Sequence, residues 1–366
     1  MLKLVLKNDI GKNLIMLLAV VILFIAFKIT VSSSIDRQLA DSVNSIVLEA
    51  KDMNYKEANS FVKSKTAELM QDALNNHTGA VRDYLALRAT EIDSRLSARL
   101  LDLNQAEENV NNAKFGSAIS YGMPDDYFLD NKEQFSELPA PRLVGTGWED
   151  FKRLQKADPV PVVIFLIVGI VYIREFEQRV YISTAITKKG RRYASIRFFI
   201  FMFISCIFTL ANFGFDVFAS GILSSADIFN TPLQGLFPDC FVSCTVFVYL
   251  LYTLLFKLLA AINIFLLFYI AARISRAVYG YGMAGVSGIL LFAIFSSVAP
   301  QVSCHIAAGF PDTELIFTNA ASWAAGYGTI IAAFAVNFVV AGILFFCIIR
   351  YDMKLILDRK QTIFAV

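Results

Sequence analysis

The sequence predicts an all-α polytopic membrane protein, with six transmembrane helices and a large, mainly helical extracytoplasmic domain between helices 1 and 2. Three observations carry that prediction. Of 366 residues, 56% are hydrophobic and 17% charged, with a mean hydropathy of +0.57, which is too apolar for a soluble enzyme of this size and too charged for lipid alone. The apolar residues gather into runs close to the ~20 residues that cross ~30 Å of hydrocarbon. Between two such runs, Arg174 to Arg197 holds seven Lys or Arg against two acids. Cytoplasmic loops collect positive charge in this way, so the stretch orients every other span.

Residues 1–12 place Leu2, Leu4 and Leu6 among Lys3, Lys7 and Lys12, a pattern suited to a cytoplasmic interfacial segment. Residues 13–32 form the first span, and Lys28 near its outer end has the reach to snorkel to the headgroups. No small-residue cleavage site follows, which reads as an uncleaved signal anchor.

Residues 33–158 form the extracytoplasmic domain. Ile35, Leu39, Val43, Ile46, Ala50 and Met53 recur at helical spacing, as do Val81, Leu85, Ile92, Leu96, Leu100 and Leu103, with charged residues opposite. Breaks near Asn54 and from Asn75 to Gly79 fold these helices back on one another. From Phe115 to Pro161 the pattern fades into Gly, Pro and acidic residues, read as irregular chain. His77 sits alone in a polar turn as a surface residue, and no Ser-His-Asp or Cys-His pairing has a favourable spacing.

Residues 159–366 hold the other five spans. The second covers Pro161 to Ile173, and the third Ile196 to Phe218, with Asn212 and Asp216 toward its outer end. The connection from Ala219 to Cys240 has no Lys or Arg, as an outer loop should. The fourth span lies within Phe241 to Ala272 and the fifth covers Met283 to Ser303. Residues 304–322 suit short re-entrant helices, which are tolerated only when buried against protein or lining a cavity. The sixth span, Ala324 to Ile349, ends at Arg350, Lys354, Arg359 and Lys360, so both termini are expected inside.

Few residues point to chemistry. The five Cys lack metal-ligand spacing; Cys240 and Cys304 both fall near the outer face, where free buried thiols are expected and pairing in an oxidising compartment is the alternative. Ser287 and His305 stand 18 residues apart, about 27 Å on one helix at 1.5 Å per residue, too far for a nucleophile and its base. Gly285, Ser287 and Gly288 are better read as close-packing positions. Lys257, in the middle of the fourth run, is costly in hydrocarbon and marks a functional candidate. Asn263 and Asn337 are candidate partners across helices, whereas Asp216 lies too near the outer surface to bridge to Lys257. No G-x-x-x-x-G-K-[ST] occurs, so the chain has no phosphate cradle of its own.

The stretch from Arg174 to Arg197 resembles the cytoplasmic loop between spans two and three of the membrane (permease) subunit of a type-2 ABC exporter. That loop carries a Glu, then an S/T-T-P-V-S-R-like stretch, then a base leading into span three. Here Glu177, Ser183-Thr184-Ala185-Ile186-Thr187-Lys188 and Arg197 would fill these places, with Ala185 where the family has Pro. The resemblance implies that residues 177–192 form a short coupling helix docking on an ATP-binding subunit, with Glu177, Ser183, Thr184, Lys188, Lys189, Arg191 and Arg192 at the contact. Anchoring to anionic lipid is an alternative use of the four bases. It further implies separate ABC ATPase subunits that use ATP and Mg, a second copy or sister permease, a bilayer setting in a bacterial cell membrane, no nucleic acid, and no catalysis by this chain. The implied activity is export of an amphiphilic substrate: a peptide, antimicrobial peptides included, a lipid or a drug. The alternative is a non-transporting membrane sensor, or an envelope-assembly scaffold, whose outer helical domain binds a ligand.

Overall fold

The computed structural model describes residues 11–33, 35–115, 137, 139–145, 147–173, 175, 187–224, 228–237, 240, 242–275, 277–298, 313–318 and 327–364. Helix α1, Gly11–Ser32, is apolar on all sides. It buries Val20 and leaves Ile15, Met16, Ile22 and Leu23 exposed, as a helix against lipid does. Five helices among the described residues are long and apolar enough to cross a membrane: Asn13–Ser32, Gly147–Ile173, Lys188–Ala219, Val246–Ser275 and Ile330–Arg350. The predicted fifth span corresponds to a helix that starts earlier, at Val278, and ends at Val298.

Three helices follow α1: α2 (Arg37–Ala50), α3 (Tyr55–Asn76) and α4 (Gly79–Phe115). Asp36 caps α2 by accepting from the Leu39 N–H at 3.0 Å. Asn54 and Glu57 form a capping box that starts α3, satisfying two N–H groups that the first turn leaves without intrahelical partners. The α3–α4 turn ends on Gly79, at φ +60°, a conformation that only glycine adopts without strain. The two breaks in the sequence thus fold the helices back as expected. Leu39, Val43, Ile46 and Ala50 pack with Ala58, Val62, Ile92, Leu96, Leu100 and Leu103. Val81 is an exception at 55% exposure: it stands in the first turn of α4, beyond the reach of α2.

The stretch read as irregular chain contains helix α5, Gly147–Lys156, which buries Trp148, Phe151 and Leu154. It leads into α6 (Val160–Val168) and a π-helical turn, Gly169–Ile173. The residues after Ala219 are more than a loop. Three 3-10 turns, Ile222–Ser224, Ile228–Asn230 and Leu233–Gly235, form a plug held by buried Gln234, whose amide donates to the Cys240 and Val242 carbonyls at 3.1 and 3.0 Å. Trp148 packs edge-on against Phe237 and Tyr249 of this region, at 5.3 and 5.6 Å between ring centres.

Helix α7 is Lys188–Ala219, α8 is Val246–Ser275, α9 is Val278–Val298, α10 is Thr313–Thr318 and α11 is Tyr327–Phe364. Helix α8 is the hub, packing against α6, α7, α9 and α11. Within 304–322 only α10 is described; it buries Ile316 and Phe317 in the plug core, and its Thr313 hydroxyl lies 3.0 Å from the Tyr249 hydroxyl. Gly285 lets α9 approach α6 closely, since a Cβ there would lie 2.2 Å from Phe165 Cε2. Beside it Tyr281 stacks on the Phe165 ring at 4.5 Å and donates its hydroxyl to the Phe165 carbonyl at 2.7 Å. At Gly288 the added Cβ would meet open space, so close packing accounts for one of these two glycines.

Candidate functional site

An ammonium inside an apolar helix has to find a carboxylate or leave the helix. Three apolar runs carry such interior charges: Lys28, Asp216 and Lys257. Two cations against one anion leave a deficit, and the chain supplies the missing acid from Asp158, between α5 and α6. Lys28 Nζ lies 2.7 Å from Asp216 Oδ1, with the side chains 1% and 0% exposed. Lys257 Nζ lies 2.7 Å from Asp158 Oδ2, at 6% and 10%.

The two pairs form one network. Asn212, one turn before Asp216 on α7, donates from Nδ2 toward Asp158 Oδ1 at 3.3 Å and Asp216 Oδ2 at 3.4 Å. Gln155 Nε2 donates to Asp216 Oδ2 at 2.7 Å, and the Val160 N–H to Asp158 Oδ1 at 3.0 Å. Lys28 also reaches the Ala157 carbonyl at 3.4 Å. The result is a neutral quartet of two ammoniums and two carboxylates, tying α1, α5, α7 and α8 together where α5 hands over to α6.

Lys28, expected to snorkel, instead turns to the adjacent end of α7, where a carboxylate meets it at 2.7 Å and leaves its side chain 1% exposed. Lys257 meets Asp158 instead of Asn263 or Asn337. Those two asparagines meet one another, Asn263 Nδ2 lying 3.4 Å from Asn337 Oδ1, while Asn337 Nδ2 donates to the Ala333 carbonyl at 2.7 Å. Asp216 and Lys257 make no direct bridge and communicate through Asn212 and Asp158. Sequence reasoning missed Asp158, Gln155 and Asn212 as members. The signal available for Asp158 was the charge deficit inside the apolar runs.

At the far end of α7, Lys188, Lys189, Arg191 and Arg192 are exposed in its opening turns, behind an N-cap in which Thr187 Oγ1 accepts from the Gly190 N–H at 3.0 Å. They begin the long helix α7 and do not belong to a separate short one. Glu177, Ser183 and Thr184 lie outside the described residues. Arg197 is nearly buried and clamps α7 to the preceding span: it reaches Glu175 Oε2 at 2.5 Å and the Val171 carbonyl of the π turn at 2.5 Å, and its guanidinium stands 4.7 Å from the centre of the Tyr172 ring. The carbonyl that Arg197 reaches belongs to the π turn, where the i→i+4 ladder of the α-helix gives way to i→i+5 bonding. Cys240 is buried, its Sγ 3.6 Å from the Val242 carbonyl, and Cys304 lies outside the described residues.

The chain matches no protein-family model, no curated protein and no solved structure.

Proposed function

We propose that the chain is the permease subunit of an ATP-driven exporter, working with separate ATPase subunits that use ATP and Mg and with a second permease copy or sister chain. In this reading it crosses the cell membrane six times, with both termini in the cytoplasm and α2 to α4 outside, and moves an amphiphilic substrate outward. The observation that carries the reading is the construction of α7. Four exposed cations crowd its N-terminal turns, where the helix dipole is positive and disfavours them. Helix stability therefore does not account for them, and an acidic surface does, that of a partner subunit in this reading and that of anionic lipid in the alternative. From Lys188 to Asp216 the helix runs about 42 Å at 1.5 Å per residue, with Arg197 bracing its base and Asp216 ending in the buried quartet. A push at Lys188 is thereby carried by one rigid rod to the contacts among α1, α5 and α8.

The test is purification of the full chain from native membranes, with identification of every polypeptide retained in stoichiometric amount. A retained P-loop ATPase, lost together with export in Glu177→Ala and Lys188→Ala variants, is the expected result. If no such ATPase is retained and neither variant alters export, the reading is wrong. Labelling of Lys188→Cys from the same side as α2 to α4 would overturn the topology beneath it.

A further inference from the structure

The groove between α3 and α4 is longer than the helix that fills it. Arg88 of α4 pairs with Asp36, the residue that opens α2, at 2.7 Å, and Tyr84 and Val81 repeat on that side of α4 one and two turns earlier. On α3, Lys65 reaches Glu49 of α2 at 3.8 Å, and Leu69 repeats on the same side one turn later. These three residues lie past the start of α2, and they stand 40% (Leu69), 55% (Val81) and 52% (Tyr84) exposed.

The contacts of α4 fix where this open end lies. Lys28 and Ala157 share one level, joined at 3.4 Å; Asp36 follows the first by eight residues and Glu149 precedes the second by eight. Glu149 belongs to the first turn of α5, whose Gly147 stands against Gly221 and Ile222, just past the end of α7. Asp36 likewise lies just past the apolar span Asn13–Ser32. Helix α4 is pinned at both points, Arg88 to Asp36 and Arg99 to Glu149, so it runs along the membrane surface instead of away from it. The nine residues from Arg88 back to Gly79 continue this line past α1 by about 13 Å at 1.5 Å per residue. Helix α1 is an edge of the bundle, with Ile15, Ile22 and Leu23 exposed, and what lies beneath the overhang is therefore lipid.

We propose that the α3–α4 hairpin rests on the bilayer, its open groove laid over the headgroups and upper carbons of the lipids beside α1. Leu69 and Val81 supply apolar contact, and Tyr84 supplies the amphipathic ring that favours a membrane interface. The charge of the tip selects a zwitterionic surface. Between residues 69 and 87, Arg82 is the one Lys or Arg against Asp72 and Asp83, and Asp83 already engages it at 3.0 Å. Because α1 holds the hairpin at the surface, docking is intramolecular and a small contact suffices. The inference needs α1 to cross the bilayer, but not the chain to be a transporter.

The full chain in phosphatidylcholine nanodiscs, with p-benzoylphenylalanine in place of Tyr84, tests this by intact mass after illumination. A phosphatidylcholine adduct is expected there and with the same replacement at lipid-facing Ile22, 64% exposed on α1. The same replacement at Leu101, 67% exposed on α4 but about 25 Å from Tyr84 along the helix, should give none. Adding Leu69→Asp and Val81→Asp should lower the Tyr84 adduct by about threefold or more and leave the Ile22 adduct unchanged. Exchanging part of the phosphatidylcholine for phosphatidylglycerol should not raise the yield; an adduct that needs the anionic lipid would overturn the zwitterionic surface. A crosslink from Tyr84 to a second copy of the chain would assign the groove to a dimer contact instead. An adduct at Ile22 with none at Tyr84, or equal adducts at Tyr84 and Leu101, would overturn the docking. No adduct at either Tyr84 or Ile22 would overturn the lipid setting of α1 beneath it.

Discussion

Lys28 and Asp216 come from helices 188 positions apart and meet at 2.7 Å, in a site that leaves 1% of one side chain and none of the other exposed. A buried pair of this kind contributes little over a well-packed apolar substitute, but breaking it strands a charge. Lys28→Met alone and Asp216→Leu alone should each destabilise by about 3–5 kcal/mol, and the double variant should recover most of the loss. Thermal unfolding in detergent, arranged as a double-mutant cycle, measures the coupling. Strictly additive losses would mean that the two charges do not depend on one another.

Packing at Gly285 makes a sharper steric prediction. The Phe165 ring that a new Cβ would strike at 2.2 Å is held flat against Tyr281, at an interplanar angle of 9°, so it has little freedom to move aside. Gly285→Ala should cost about 1–3 kcal/mol, as overpacking generally does, and Phe165→Leu should return part of it. Gly288→Ala, which meets nothing within 4 Å, should stay within about 0.5 kcal/mol of the parent. Equal effects at the two glycines would contradict this packing.

Arg197 makes contacts that a lysine cannot reproduce. Its planar fork reaches Glu175 and the Val171 carbonyl together while stacking on Tyr172, and an ammonium is a point donor on a flexible stem. Arg197→Ala should lower stability by about 3 kcal/mol, and Arg197→Lys should restore less than half of the loss, as read by urea unfolding. Full recovery by lysine would reduce the clamp to simple charge.

Helices α2 and α4 should respond to acid through Asp36, which caps the one and pairs with Arg88 of the other. The side-chain hydrogen bond from Arg88, followed by the backbone N–H of Leu39, holds its carboxyl down from 3.8 to about 2. Because the folded value lies below the unfolded one, the stabilisation is fully present above pH 4 and is lost as pH falls through about 2. Arg88→Gln should raise the Asp36 midpoint toward the ordinary carboxylate range and flatten the acid limb between pH 4 and 2. An NMR titration of the Asp36 side-chain carbon checks this, and an unmoved midpoint would show that Arg88 is not the cause.

Much of the helical architecture was legible from periodicity. The Leu39 to Ala50 and Ile92 to Leu103 stripes pack as one core, and each of the five long apolar helices overlaps an expected span, although Gly147–Ile173 and Lys188–Ala219 begin well before the apolar runs they contain. Val81 shares the same spacing yet is exposed, because period alone does not say how far a neighbouring helix extends. Helix α5 escaped notice for a local reason. It is only ten residues long and lies among Gly and Pro, although Glu149 and Asp150 in its first turn and Arg153 and Lys156 in its last are the charges a helix dipole favours. The quartet was half legible. Lys257 and Asp216 are conspicuous in apolar sequence, but the assignment of Lys28 to Asp216 and of Lys257 to Asp158 depends on which helices are neighbours, and that is decided by packing across the whole bundle.

The neutrality of the quartet bears on electrical sensitivity. Moving one elementary charge through 100 mV is worth about 2.3 kcal/mol, so a lone lysine at the depth of Lys257 would couple any helix displacement to the membrane voltage. Two ammoniums and two carboxylates moving as a body carry no net charge through that field. Pairing thereby removes these two lysines from the charge that any concerted motion of the bundle would carry across the membrane.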